Sequence, residues 1–181
     1  MRVIAGLAKG RRLRSLPGLE TRPTSDLVRG ALFNILMNVI EDADFLDLFA
    51  GTGAVGIEAL SRGARSAEFV ESDRRSLAII RANLETTGLA DRARVHGEAA
   101  EQAVARWARQ QRQFDLIFLD PPYNRGLARA MVRAVLSGRL LRSGGYLIAE
   151  HHLKEEIDPG DEGRVVKQAA YGETCLTFIT A

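Results

Sequence analysis

Residues 47–56 read DLFAGTGAVG, and the pattern around this stretch decides the fold. It contains a Gly-x-Gly-x-x-Gly motif formed by Gly51, Gly53 and Gly56. Glycines permit a tight turn, and a helix that follows such a turn presents its positive N-terminus and free amides to a ligand. An acid, Glu71, follows at the spacing of a dinucleotide-binding fingerprint. The stretch therefore predicts a strand, a glycine turn and a helix that together bind a ligand.

Outward from this stretch, apolar strands alternate with helical patterns. We expect strands at 45–49, 67–71, 93–97, 114–120 and 145–150, with helices at about 54–62, up to 87, up to 111, and at 126–136. The run FDLIFLD (114–120) is the most hydrophobic strand and should lie centrally in the sheet.

The end of the chain departs from this alternation. The runs RVVKQAAYG and ETCLTFIT are separated by a turn that is too short for a crossover helix, so they must pair antiparallel at the sheet edge. The classical nicotinamide-binding fold continues instead with further βαβ units. The α/β layout expected here is the Rossmann-like fold of class I SAM-dependent methyltransferases. It is a seven-stranded, mostly parallel sheet with an antiparallel C-terminal hairpin at its edge.

Length and composition limit the class of protein. A chain of 181 residues suits one domain with a real core, and 46% hydrophobic with 27% charged residues is typical of a globular protein. No apolar run is long enough to span a membrane, and the basic start lacks the apolar segment of a secretory signal. The single Cys175 cannot form an intrachain disulfide. We expect a cytoplasmic protein without membrane contact.

Positive charge is concentrated at the start of the chain. Residues 1–30 hold seven basic and two acidic residues, whereas the remainder holds 18 basic and 21 acidic residues. We expect a basic N-terminal β-hairpin extension over 1–20 and a single domain over 21–181. The basic end suggests a polyanionic partner, and the alternative is a solvated arm with no partner.

The glycine loop has three interpretations. It can hold the pyrophosphate of a dinucleotide, or the methionine part of S-adenosylmethionine (SAM), or it can simply let the helix pack closely on the sheet. Asp47 at the strand end can meet an ammonium group, a role that is useless for pyrophosphate, so it favours SAM. Glu71 can accept ribose hydroxyls under either ligand interpretation and does not discriminate between them.

A second motif, Asp120-Pro121-Pro122-Tyr123, ends the most hydrophobic strand. Prolines cannot continue a central strand, and they stiffen the edge where open α/β folds bind ligands. The Asp120 carboxylate and the Pro121 carbonyl can each accept an N–H of a nucleobase amine and stabilise its developing positive charge. Tyr123 offers a face for base stacking. The alternative is a rigid turn with an incidental acid. It is less favoured when this motif is considered together with the Asp47 loop.

The two motifs are similar to those of methyltransferases that act on adenine N6, cytosine N4, guanine N2 or the glutamine amide. Further stretches narrow the choice, because the chain resembles the bacterial 16S rRNA guanine-N2 methyltransferases, the RsmD-like family, over nearly its whole length. The resemblance is carried by GLAKGRRL (6–13), RPTSDLVRGALFNIL (22–36), DLFAGTGAVGIEALSRGA (47–64), DPPYNRGL (120–127) and YGET (171–174).

The resemblance implies methylation of one guanine in 16S rRNA of the small ribosomal subunit, with SAM as methyl donor. It places Asp120, Pro121 and Tyr123 around the target amine. It implies that the cofactor is bound by Asp47, Gly51, Gly53 and Glu71. The cofactor site would be closed by Arg22, Pro23 and Thr24. RNA phosphate would be bound by Lys9, Arg11 and Arg12. One departure follows the third strand, where the usual Asp or Asn is absent and Glu98 or a backbone amide must meet the adenine.

Two alternatives remain. One is a DNA adenine or cytosine amino-methyltransferase, although the chain leaves no room for a target-recognition segment. The other is a non-catalytic RNA-binding assembly factor on a methyltransferase scaffold. We expect a monomer. We also expect no metal site, because His151 and His152 are adjacent and point to opposite faces of a strand. Trp107 is expected to anchor the core, and Asn83 to be a surface or capping residue.

Overall fold

The computed structural model describes residues 1–15, 26–122 and 126–181. These residues form two compact units, Met1–Glu98 and Ala99–Ala181. Of the described helices, none is both long and apolar enough to cross a bilayer.

The first unit is built around three parallel strands. Its elements are α1 (Asp26–Ile35), β1 (Asp44–Asp47), α2 (Ala54–Ser61), β2 (Ser66–Val70), α3 (Arg74–Thr87), a short 3-10 turn (Ala90–Arg92) and β3 (Ala93–His96). β2 pairs in parallel with both β1 and β3. The bounds of α3 are set locally: the Asp73 side chain accepts the backbone N–H of Ser76 at its start, and Gly88 adopts a left-handed conformation at its end.

The second unit contains the C-terminal hairpin. Its elements are α4 (Ala100–Arg109), β4 (Phe114–Leu119), α5 (Leu127–Ser137), β5 (Leu141–His152), a 3-10 turn (Gly160–Glu162), β6 (Arg164–Tyr171) and β7 (Thr174–Thr180). β4 and β5 are parallel, whereas β7 pairs antiparallel with β5 on one side and with β6 on the other. The expected terminal hairpin is therefore confirmed.

The strands form a seven-stranded sheet of order β3-β2-β1-β4-β5-β7-β6. β4 stands fourth of the seven, which confirms the central position expected for the most hydrophobic strand. β5 is longer than expected, since it begins at Leu141, which pairs with Phe114 ahead of a register shift. The predicted mixed sheet with a hairpin at its edge is thus observed.

Aromatic side chains fill the core of each unit. Trp107 on α4 is buried and contacts Phe114 edge to face, with ring centroids 5.2 Å apart. This confirms its expected role as a core anchor.

In the first unit, all eight residues of α2 are buried, including the charged Glu58.

The described part of the N-terminal segment pairs antiparallel, as expected for a hairpin, but only over a short length. Arg2 and Arg12 form a bridge, and backbone hydrogen bonds join Met1 to Leu13 and Val3 to Gly10 and Arg11. The segment also packs on α2, because the backbone N–H groups of Ile4 and Ala5 donate to the Glu58 carboxylate over 2.8 and 3.0 Å. We call residues 1–14 the N-terminal arm.

Candidate functional site

The glycine turn between β1 and α2 has the open geometry that a ligand loop needs. Gly51 and Gly53 have φ angles of 54° and 79°, which side-chain-bearing residues rarely adopt. A Cβ atom on Gly51 would meet nothing within 4 Å, so the space beside it is free. On Gly56, by contrast, a Cβ would lie 2.3 Å from the Phe69 ring. Gly56 therefore serves close helix–sheet packing, as the structural interpretation of the motif requires.

Asp47 ends β1 beneath this turn and is buried. Its Oδ2 accepts the backbone N–H of Gly56 over 3.1 Å, whereas Oδ1 is buried and accepts no hydrogen bond from any described residue. Burial raises the pKa of Asp47 to about 7, and the nearby charge of Glu71 adds to this effect, against the opposing bond from Gly56. A buried carboxylate oxygen without a donor fits a ligand that carries an ammonium group.

Glu71, which follows β2, organises the backbone beside the glycine turn. Its Oε2 accepts the N–H of Gly51 over 2.9 Å, and its Oε1 accepts those of Ser72 and Asp73, each over 2.8 Å. The structure thus joins Glu71 to the glycine turn that follows Asp47. Whether it accepts ribose hydroxyls stays a prediction.

Glu98 follows β3 and lies near a contact between His96 and the buried Glu68. His96 Nε2 lies 2.5 Å from the buried Glu68 carboxylate, and His96 Nδ1 lies 3.9 Å from Glu98 Oε1. Glu98 is half-buried beside His96. An adenine contact by Glu98 remains a prediction.

Asp120 and Pro121 follow directly on the buried end of β4. Asp120 is half-buried, Pro121 is buried and Pro122 is exposed. The backbone that presents this carboxylate is anchored, because the last four residues of β4 are all buried. Rigid presentation is what alignment of a reacting amine requires.

Four predicted site residues, Arg22, Pro23, Thr24 and Tyr123, lie outside the described residues. The predicted phosphate-binding residues Lys9, Arg11 and Arg12 are exposed on the N-terminal arm. They are not equivalent, because Arg11 Nη1 donates to the backbone carbonyl of Thr86 over 2.6 Å.

The expectation for Asn83 was wrong. Its side chain is fully buried and bonds to the backbone of Arg14 and of Thr52. A signal was present in the sequence, since Asn83 follows Ile80 by three residues on the apolar face of α3. A polar residue on such a face needs buried partners.

Comparisons with known proteins agree with this geometry. The family described as "Conserved hypothetical protein 95" matches residues 1–180. The ribosomal RNA small subunit methyltransferase D of Escherichia coli is 39% identical over 164 residues, which cover 88% of this chain and 77% of the relative. The chain belongs to the RsmD-like family of ribosomal RNA methyltransferases.

Further matches support this assignment to the RsmD-like family. YlbH of Bacillus subtilis is 38% identical over 176 residues, which cover 96% of this chain and 95% of YlbH. The solved structure of yhhF from Escherichia coli is 32% identical and superposes with a TM-score of 0.87, covering 99% of this chain and 97% of that one. The fold is that of the class I methyltransferases, as the alternation of strands and helices with a terminal hairpin predicted.

Proposed function

We propose that this member of the RsmD-like family transfers a methyl group from SAM to the exocyclic N2 amine of one guanine in 16S rRNA. The observation that carries the proposal is the buried Asp47 carboxylate with an oxygen that accepts no bond from any described residue, beside an open glycine turn. A dinucleotide pyrophosphate would be repelled by this acid, whereas an ammonium group would satisfy it.

The residues of the glycine turn fit SAM as the group they hold. Asp47 would pair with the ammonium of its methionine part. The left-handed turn at Gly51 and Gly53 would leave room for the rest of that part, since the space beside Gly51 is free and the amides of both glycines donate within the protein. Glu71 would accept the ribose hydroxyls, and Arg22 and Thr24 would close the site, with Glu98 near the adenine. When bound, SAM supplies a methyl group activated by a sulfonium.

At the end of β4, Asp120 and Pro121 would act on the amine to be methylated. The lone pair of an exocyclic amine is delocalised into the base and is a poor nucleophile. The Asp120 carboxylate and the Pro121 carbonyl accept its two N–H bonds, favour tetrahedral nitrogen and stabilise the positive charge that develops. Tyr123 stacks on the base, which contributes roughly 1–3 kcal/mol. No covalent enzyme intermediate is needed, since alignment supplies most of the effect.

The substrate is an unstacked nucleotide of ribosomal RNA. A base must leave its stack to enter such a site, which suits a loop of rRNA better than a duplex. The name of the Escherichia coli relative supports the small subunit as its source. Exposed Lys9 and Arg12 would bind phosphate from the arm. A monomeric cytoplasmic enzyme without a metal would suffice for this reaction.

The test incubates the protein and methyl-labelled SAM with three substrates: small ribosomal subunits, naked 16S rRNA and duplex DNA. Label should enter rRNA, and nucleoside digestion should identify it as N2-methylguanosine. Label only in DNA would support the DNA amino-methyltransferase alternative. Binding of rRNA without any transfer would support the assembly-factor alternative.

A matched pair of variants tests the catalytic role. Asp120→Ala should leave SAM affinity within a few-fold while methyl transfer collapses, because the side chain acts on the amine and not on the donor. Asp115→Ala is the control, since Asp115 lies on the same strand and pairs with Arg142. Transfer by Asp120→Ala near the parent rate would show that the assigned role is wrong.

A further inference from the structure

Asn83 connects two segments that are distant in sequence. From α3, its Oδ1 accepts the backbone N–H of Arg14 over 2.7 Å, and its Nδ2 donates to the Arg14 carbonyl over 3.1 Å. The same Nδ2 donates to the Thr52 carbonyl over 2.9 Å. Asn83 thus bonds both to the N-terminal arm and to the glycine turn, since Thr52 stands between Gly51 and Gly53.

The chemistry of this contact requires a side-chain amide. Arg14 presents one donor and one acceptor, and Thr52 presents a further acceptor. A neutral amide can accept the first and donate its two hydrogens to the other two. A carboxylate could only accept hydrogen bonds, and it would have no hydrogen to donate to the two carbonyl oxygens that it faces. Because Asn83 is fully buried, water cannot replace a lost bond.

Other contacts fix the arm without involving the glycine turn. The Ser61 hydroxyl accepts the N–H of Ala8 over 3.0 Å and donates to the Ala5 carbonyl over 2.6 Å. A Cβ atom on Gly6 would lie 1.8 Å from the Ser61 carbonyl oxygen, so the arm lies directly against the end of α2. Within the part of the chain that the structure describes, Asn83 is the side chain that bonds to both the arm and the turn.

We propose that Asn83 is a positioning residue that couples the cofactor turn to the RNA-binding arm. A ligand that orders the turn fixes the Thr52 carbonyl, strengthens its bond to Asn83, and so holds Arg14 and the basic residues before it. The coupling is reciprocal, so RNA on the arm favours the ligand in the turn by the same factor. This inference rests on the proposed function, since it takes SAM as the ligand of the turn.

Hydrogen exchange at the Arg14 amide measures this coupling directly. The amide donates to Asn83, so its exchange reports the bond itself. Exchange is compared with and without S-adenosylhomocysteine (SAH), at a concentration that calorimetry shows to be saturating for each protein. In the parent, SAH should slow the exchange about tenfold. In Asn83→Ala and Asn83→Asp the ratio with and without SAH should be close to one.

Two variants and one control separate coupling from general loosening. Asn83→Asp preserves the size of the side chain and one acceptor, so it serves if Asn83→Ala does not fold. Thr87→Val is the matched control: Thr87 is buried one turn further along α3, and its hydroxyl donates to carbonyls of that helix. It should retain the SAH effect. A loosened arm alone would raise exchange equally with and without SAH.

Each outcome decides one of the two proposals. If calorimetry shows no SAH binding to the parent, the proposed function fails and the coupling fails with it. If SAH binds but does not slow Arg14 exchange in the parent, the coupling alone is wrong. It is also wrong if the effect persists in the Asn83 variants, or if neither folded variant binds SAH, because Asn83 would then belong to the cofactor loop itself.

Discussion

The backbone N–H of Gly51 donates to the carboxylate of Glu71 over 2.9 Å. The other oxygen of that carboxylate accepts the amides of Ser72 and Asp73. One acid after β2 therefore holds the glycine turn and the start of the segment that leads to α3. The glycine and the acid that the motif places at a fixed spacing, Gly51 and Glu71, are thus hydrogen-bonded to each other and join two loops.

Replacing Glu71 with Gln should weaken SAH binding about tenfold to a hundredfold. Glutamine has one carbonyl oxygen and cannot accept all three amides, and its NH2 group would face a donor. Calorimetry on the folded variant measures the affinity. Glu85→Gln, an exposed change on α3, is the control and should bind as the parent does. Parent-like affinity in Glu71→Gln would refute a role for this carboxylate in the turn.

The raised pKa of Asp47 predicts a dependence of stability on pH. Burial moves the pKa from its ordinary 3.8 to about 7 in the folded protein, so between these values the folded state binds more protons than the unfolded state. Stability from this group is therefore full below pH ~4 and is lost as the pH rises through about 7. The total effect is on the order of 4 kcal/mol. Denaturant unfolding at pH 5 and pH 8 measures the part that is lost between pH 5 and about 7, which is roughly 2–3 kcal/mol.

Asp47→Asn provides the comparison for this pH effect. Asparagine retains an acceptor for Gly56 and cannot ionise, so the fall in stability between pH 5 and pH 8 should be smaller than in the parent. The same variant should bind SAH weakly at both pH values, because the ammonium loses its counter-charge. An identical pH dependence in the parent and the variant would show that Asp47 does not titrate in this range.

Much of the fold could be predicted from the sequence because βα alternation is a local pattern. Strand β4 was recognisable as central since a strand covered on both faces is apolar throughout. The contact of the N-terminal arm with α2 could not be predicted. The amides of Ile4 and Ala5 donate to Glu58, and nothing in the arm itself shows that a buried acid on α2 would satisfy them.

The candidate site likewise has residues that the sequence identified and one that it did not. Asp47 and the glycines belong to a motif with fixed spacing, so the sequence identified them. Asn83 was missed because its partners, Arg14 and Thr52, lie 69 and 31 residues away along the chain. Side-chain bonds of this range depend on the packing of α3, which composition and periodicity do not specify.

Gly56→Ala should destabilise the protein by about 1–3 kcal/mol. The added Cβ would lie 2.3 Å from Cε1 of the fully buried Phe69, so ring and helix must move apart. Gly30→Ala is the matched control, because Gly30 is also helical and its added Cβ would have Ile4 Cδ1 as nearest neighbour, at 3.9 Å. That variant should be stabilised by about 0.5–1 kcal/mol. Chemical denaturation measures both, and equal effects would contradict the packing role of Gly56.

Glu58→Gln should cost about 3–5 kcal/mol. Glu58 is buried and faces Arg29, whose Nε lies 3.6 Å from Glu58 Oε2, and burial already lowers the pKa of Arg29. Neutralising Glu58 would leave that guanidinium charge without its buried partner. Arg29→Met together with Glu58→Gln should therefore lose less stability than Glu58→Gln alone. If the loss in the double variant equals the sum of the losses in Glu58→Gln and Arg29→Met, measured by denaturant unfolding, the pair is not coupled.

Lys9→Ala and Arg12→Ala should each weaken RNA binding and reduce the salt dependence of the affinity by about one phosphate contact. Both side chains are exposed on the arm, so their removal should not alter the melting temperature. The measurement is the affinity for a 16S rRNA fragment across a range of salt concentrations. Arg94→Ala removes an exposed arginine on β3 and should leave the slope unchanged. If the arm variants and Arg94→Ala change the slope equally, RNA responds to the net charge of the protein, and the arm has no specific part in binding it.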